Sequence, residues 1–258
     1  MNEKENVKRS FGKNSNAYVT SSTHATGIDL PLMIEWLKPN STMIALDIAT
    51  GGGHVAKQLS NHVAKVTASD LTEAMLTNTA KHLKEYENIS YTIADAEELP
   101  FDDHSFDIVT CRIAAHHFPN PEKFIKEVQR ILKPGGKFVL IDNIAPEDPT
   151  LDNFVNTFEK MRDYSHVRSL PISEWKKLLT TYQLSVLQEK SRKKTLPYNE
   201  WLNRMVEDEG IKREVTSYMK NAPENVREYF QVKIKDDQLQ SFAIDEWMVM
   251  CEICLKDD

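Results

Sequence analysis

No run of apolar residues in this sequence is long enough to span a bilayer, and the mean hydropathy is −0.49. The first residues include Glu3, Lys4, Glu5, Lys8 and Arg9, where a signal peptide would need an apolar core. A membrane helix and a secretory leader are therefore not expected, and a cytoplasmic location is. Positive charge is also lacking: 32 Lys and Arg against 39 Asp and Glu give a net charge of −7. That balance argues against nonspecific binding to nucleic acid or to a membrane surface. Cysteine is sparse, with three in all. Cys251-Glu252-Ile253-Cys254 has C-x-x-C spacing, but it sits in a strand-like run over 247–255, where residues three apart face opposite ways. No second pair or nearby histidine completes a zinc site, so no metal is expected, and Cys111 reads as a small buried hydrophobe. Internal repeats, low-complexity linkers and association motifs are missing as well. A homodimer is left open.

What is present is enough for one large α/β domain: 258 residues, 40% of them hydrophobic. The chain is organised around residues 43–56. An apolar run from Met43 to Ile48 carries Asp47, then gives way to Gly51-Gly52-Gly53 and to helical spacing at Val55, Ala56, Leu59 and Val63. This reads as strand, tight turn, helix. Gly51 and Gly53 can take positive φ and let a ligand lie on the backbone, and the following helix offers its unpaired N–H groups. Gly51-x-Gly53-x-x-Ala56 also satisfies the dinucleotide fingerprint. However, no Lys or Arg occurs from 43 to 56, so a diphosphate would meet Asp47 without a nearby cation. A cationic ligand would meet a partner.

The chain then alternates strand and helix. A second strand over 63–69 ends at Asp70 and Leu71, and Thr72 opens a helix with Met75, Leu76, Thr79 and Leu83 on one face. Asp70 falls about 20 positions past the glycines, at a strand tip within reach of ribose hydroxyls. A third strand over 89–94 leads into Asp95 and Ala96, then a solvated acidic loop, and a fourth covers 106–111. Three carboxylates thus stand at the carboxyl ends of three successive strands.

These residues together resemble the class I S-adenosylmethionine-dependent methyltransferases, whose first motif is an acidic residue followed by alternating glycines. The helix with Phe124, Val128, Ile131 and Leu132, the turn Lys133-Pro134-Gly135-Gly136 and a strand over 137–142 extend the resemblance to roughly residues 40–145. The nearest look is to ubiquinone and menaquinone C-methyltransferases. The resemblance implies a Rossmann-like three-layer sandwich with a mostly parallel seven-stranded sheet. It implies S-adenosylmethionine bound by Asp47, Ala49, Gly51, Gly53, Asp70 and Leu71, with Asp95 on the adenine amino group and Ala96 beside the ring. S-adenosylhomocysteine is then the product and a small molecule the acceptor. Ala49 replaces the family's first glycine and is expected to avoid positive φ.

The stretch Arg112-Ile113-Ala114-Ala115-His116-His117-Phe118-Pro119 follows strand four, where chemistry would occur. Methyl transfer is an in-line displacement that needs alignment and, at times, a general base. His116 and His117 are the candidates for the base, against a reading in which one only holds the turn. Arg112 is placed at the cofactor or an acidic substrate. The Asn/Asp-Pro-Pro-Tyr motif of amide and base N-methyltransferases is absent. An NAD(P)-dependent oxidoreductase and a noncatalytic cofactor-binding protein remain the alternatives.

The flanks are less regular. Residues 1–42 read as a mobile segment and then a helix with Leu30, Met33, Ile34 and Leu37, with Tyr18 the lid candidate, ahead of a methyltransferase domain over 43–258. Strands over 184–188 and 246–255 would close the sheet as an antiparallel hairpin. Residues 195–235 would form a helical cap between them. Arg192-Lys193-Lys194 reads as a solvated strand end, and His166 and Arg168 as candidate substrate residues on a loop.

Overall fold

The computed structural model describes residues 3–19 and 27–253, residues 13–19 by their backbone alone. Eight strands form one sheet: β1 (Ile44–Ile48), β2 (Lys65–Asp70), β3 (Ile89–Ile93), β4 (Phe106–Arg112), β5 (Leu132–Ile144), β6 (Leu184–Pro197), β7 (Lys233–Lys235) and β8 (Gln238–Ile253). The order is β3-β2-β1-β4-β5-β8-β6, with β7 paired to β8. The first five are parallel, and β8 runs antiparallel between β5 and β6. The seven expected strands are thus present, in a Rossmann-like arrangement, and β7 adds a short eighth. Strand order reverses between β1 and β4, which opens a crevice at their carboxyl ends.

The helices are α1 (Glu3–Val19), α2 (Asp29–Leu37), α3 (His54–Ser60), α4 (Glu73–His82), α5 (Pro121–Ile131), α6 (Pro149–Arg162), α7 (Ile172–Thr181), α8 (Tyr198–Asn203), α9 (Glu209–Lys220) and α10 (Glu224–Tyr229). Because side chains alternate along a strand, β1 feeds both faces of the sheet. Leu46 and Ile48 join Phe124 and Val128 of α5 and Trp175 of α7, while Ala45 joins Met33 of α2 and Leu59 of α3. Burial of a side chain such as Phe124 stabilises the fold by about 1.5–3 kcal/mol. A third cluster links Phe154 and Phe158 of α6 with Trp201, Val215, Phe230 and Phe242, and packs α8–α10 on the far end of β8.

Local chemistry sets the helix starts near the crevice. Asp148 accepts from the Thr150 and Leu151 N–H groups at 2.8 and 3.1 Å and Pro149 follows it, so α6 begins there. Asn120 caps α5 the same way, with Pro121 at the first turn.

Three expectations are corrected. Residues 3–19 form a helix, α1, rather than a mobile segment: although its sequence is polar, Ser10 is buried and Phe11 packs edge-on to His117. β6 runs on from 188 to 197 and β8 begins at 238 instead of 246; β6 is an edge strand exposed along most of its length and shows no alternation to read. Arg192-Lys193-Lys194 lies within β6, not at a solvated end. There Lys193 pairs with Asp245 at 2.9 Å, Lys194 with Glu246 at 3.0 Å, and Arg192 with Glu246.

Candidate active site

The turn after β1 places the first carboxylate. Asp47 is buried and accepts hydrogen bonds from Thr50 Oγ1 at 2.6 Å and Thr110 Oγ1 at 2.8 Å. Burial nevertheless pushes its carboxyl up to about 6. Ala49 has φ 53°, the opposite of what its Cβ led us to expect, and the left-handed conformation costs about 1–2 kcal/mol for a residue with a Cβ. The turn leaves it no choice, since Thr50 N–H is tied to Ser69 O at 2.8 Å and Gly51 also has positive φ. The two outer glycines serve different ends. A Cβ on Gly51 would meet nothing nearer than 4.0 Å, so open space lies above it, whereas one on Gly53 would strike Thr79 at 2.5 Å and Leu83 at 2.7 Å. Gly53 is needed for packing against α4.

Asp70 closes the other side of the turn. Its carboxylate accepts from Gly51 N–H at 3.2 Å and Thr72 N–H at 2.9 Å, and burial raises its pKa. Asp47, Ala49, Gly51, Asp70, Leu71, Asp95, Ala96 and Arg112 all meet in one cavity of about 1030 Å³, open mouth included. Gly53 does not line it. Asp95 Oδ2 lies 2.5 Å from Lys4 of α1, which also reaches Glu97 at 2.7 Å, so α1 lies over this cavity. Arg112 is turned toward Asp29, its Nε 2.5 Å from the carboxylate. Burial works to raise the Asp29 pKa, and Arg112 overrides it and holds the group below its ordinary value.

A smaller cavity of about 580 Å³, mouth included, lies beyond Phe11, Ile113 and His117, which line both. Ile113 has φ 54°, an outlier for a β-branched residue, and its N–H bonds Ile141 O at 2.7 Å. His116 lines only the smaller cavity. Its Nδ1 lies 2.6 Å from Asp142 Oδ1 and its backbone N–H donates to Asp142 Oδ2 at 3.0 Å. Burial works to lower the His116 pKa, and Asp142 more than reverses that, leaving it raised. The other two imidazoles behave differently. Burial pulls His117 down to about 4, and its Nδ1–H donates to Ser165 O at 3.0 Å. His166 falls to about 2, again through burial, and its Nε2–H donates to Asn156 Oδ1 at 2.9 Å. His166 lines neither cavity. Arg168 lies exposed between Asp152 and Glu174. The Tyr18 side chain and Cys254 lie outside the described residues.

Residues 46–140 match the family model of the methyltransferase domain. The chain is similar to the uncharacterized methyltransferase YcgJ of Bacillus subtilis, at 35% identity over 229 residues, 88% of this chain and 90% of that one. The crystal structure of YcgJ superposes with a TM-score of 0.85 at 34% identity, covering 88% of this chain and 98% of its own. The chain belongs to the class I S-adenosylmethionine-dependent methyltransferases. It is also similar to the ubiquinone/menaquinone biosynthesis C-methyltransferase of Rickettsia felis, 40% identical over 114 residues, which are 40% of this chain and 46% of that one. That match spans less than half of either chain and leaves the acceptor unspecified.

The larger cavity of this methyltransferase fits S-adenosylmethionine on its own chemistry. Asp47, Asp70, Asp95 and Glu97 outnumber Lys4 and Arg112 in its wall, and both cations already face carboxylates. A sulfonium and an ammonium suit that field, and a pyrophosphate does not. The nicotinamide reading is therefore not favoured. Among the described residues no cluster is arranged to hold a metal ion, and no helix is long and apolar enough to cross a membrane. Burial pushes the Cys251 thiol up to about 12 and the Cys111 thiol well above its ordinary value, so neither is a nucleophile. The smaller cavity holds what the sequence did not reveal. Glu159 and Arg162 of α6, Lys194 of β6 and Arg204 after α8 line it, and only the i, i+3 spacing of Glu159 and Arg162 at the end of α6 hinted at a shared face.

Proposed function

We propose that the enzyme methylates a small molecule held in the smaller cavity, with His116 as general base. The observation that carries this reading is the shared wall: Phe11, Ile113 and His117 belong to both cavities, so a group at that wall can face both. Bound in the larger cavity, S-adenosylmethionine supplies an electrophilic methyl group on its sulfonium. Asp70 and Asp95 are assigned to the ribose and adenine, and Asp47 to the cationic end; Ala49, Gly51, Leu71, Ala96 and Arg112 complete the wall. Asp95 already accepts from Lys4 on Oδ2 and from the Glu97 N–H on Oδ1, so the adenine amino group would share one of these oxygens. Phe11 and Ile113 exclude water from the transfer path.

Proton handling falls to His116. Asp142 accepts only, so it fixes the proton on Nδ1 and leaves the Nε2 lone pair for the acceptor. Among the described residues Nε2 has no hydrogen-bond partner. Nε2 of His116 would take the acceptor's proton as the methyl group leaves sulfur for the acceptor atom, with S-adenosylhomocysteine as the leaving group. His117 stays neutral and positions the wall. We place the enzyme in the cytoplasm, in keeping with two buried free thiols, Cys111 and Cys251. A crystal structure with S-adenosylhomocysteine tests the arrangement. The sulfur should lie against Phe11, Ile113 and His117, and a sulfur at the Asp95 end would overturn it.

A further inference from the structure

The groups of the smaller cavity that have no partner point to the chemistry of the acceptor. Arg162 carries five N–H donors, yet the hydrogen bond it makes among the described residues is one, from Nη1 to Trp201 O at 3.3 Å. Its Nε is buried without a partner, and the carboxylate of Glu159 stands off at 3.6 Å. A buried, unpaired guanidinium N–H is costly unless something else completes it. The guanidinium is also held in place: its Cζ lies 4.7 Å from the centre of the Trp201 ring. Asn143 Oδ1 is a second buried atom without a partner on the same cavity.

Charge gives the sign. Arg162, Lys194 and Arg204 line the cavity, against Glu159 as the one carboxylate of its wall. The acids behind the wall are already engaged: Asp142 by His116 and two backbone N–H groups, Asp163 by Ser10 and Ser165, and Glu246 by Lys194 and Arg192. The remainder of the lining is His116 and His117 together with the apolar Phe11, Ile113, Leu196 and Ile244 and the Trp201 ring.

We infer that the acceptor is a small organic acid with an apolar body, whose oxyanion, carboxylate or phosphate, is bound by the guanidinium of Arg162 beside Arg204 and Lys194. A planar guanidinium that commits one hydrogen bond to Trp201 O among the described residues is suited to paired bonds to such a group. This inference rests on the smaller cavity being the acceptor site. It sets a specificity that the family alone does not: neutral acceptors are disfavoured, because they leave the Arg162 N–H groups unpaired.

The test is calorimetric titration of the S-adenosylhomocysteine-loaded enzyme with benzoate, phenyl phosphate and, as the neutral control, benzyl alcohol. The expected result is saturable binding of one or both acids at least tenfold tighter than the alcohol, the stronger of the two identifying the oxyanion. Arg162→Met and Arg204→Met should each lose tenfold or more of that affinity, while binding of S-adenosylhomocysteine to each variant reports that it is folded. If Arg162→Met fails that check, Arg204→Met decides. Acids that bind no better than benzyl alcohol, or that bind folded variants as they bind the parent, would overturn the inference. Failure of the parent to bind S-adenosylhomocysteine would instead strike the assignment of the larger cavity, and the acids would then be titrated against the unloaded enzyme.

Discussion

Nδ1 of His116 lies 2.6 Å from the carboxylate of Asp142, which also accepts the backbone N–H of the same histidine. One acid thus fixes both the position and the tautomer of the imidazole. His117, with its ring centre 4.3 Å away, has a backbone carbonyl in that place and the opposite pKa displacement. Two adjacent histidines are separated into one that takes up a proton and one that stays neutral.

The His116 imidazole should therefore titrate above its ordinary value of 6.5, and His117 near 4, by nitrogen-detected NMR. Because the base must be unprotonated, kcat/KM should rise with pH through the His116 value. The charged pair with Asp142 stabilises the fold below the unfolded pKa and is lost as pH rises through the raised one. Asp142→Asn should shift the acid limb to lower pH and free the tautomer. Turnover should fall by about 10²–10⁴, the usual range for a general base. An acid limb that does not move would remove His116 from the mechanism.

Asp47 titrates near 6 although hydroxyls surround it, so its charged form is a cost to the fold at neutral pH. At about 1.36 kcal/mol for each pKa unit, Asp47→Asn should relieve on the order of 2–3 kcal/mol near pH 7.5. The sign follows from the raised value: the parent loses this stability as pH rises from about 4 to about 6, and the variant should show a flatter denaturation profile over that window. Affinity for S-adenosylhomocysteine should fall at the same time. A variant that is both less stable and unchanged in binding would contradict the role given to Asp47.

Gly51→Ala and Gly53→Ala should separate binding from folding. Both residues have positive φ, so each substitution carries about 1–2 kcal/mol of backbone strain. On Gly51 the new methyl enters the cavity, and the main loss should be in cofactor affinity. On Gly53 it collides with Thr79 and Leu83, and overpacking should add about 1–3 kcal/mol of destabilisation. Thermal melts and titrations of both variants check the contrast.

Much of this was legible in the sequence where local chemistry and function coincide. β1 is an apolar run that carries Asp47 one residue before its end, β2 and β4 end at Asp70 and Arg112, and the glycine turn is contiguous. Where tertiary contacts decide, local reading failed. α1 is mostly polar and is seated by Phe11 and Lys4 on partners about a hundred residues away. Ala49 takes positive φ because the turn imposes it. Lys194 is drawn into β6 by Glu246, across a strand pair no local pattern announces. The smaller cavity was hidden for the same reason, since its charged residues come from α6, β6 and the segment after α8.

The most direct test is calorimetric titration of the enzyme and its Asp70→Ala variant with S-adenosylhomocysteine, and in parallel with NAD(H) and NADP(H). The parent should bind S-adenosylhomocysteine alone and saturably. The variant should bind it about ten- to a hundredfold more weakly with its fold retained, as expected for a charged hydrogen bond worth about 1.5–3 kcal/mol. Binding of a nicotinamide dinucleotide, or unchanged affinity in the variant, would contradict the assignment of the carboxylate-rich cavity.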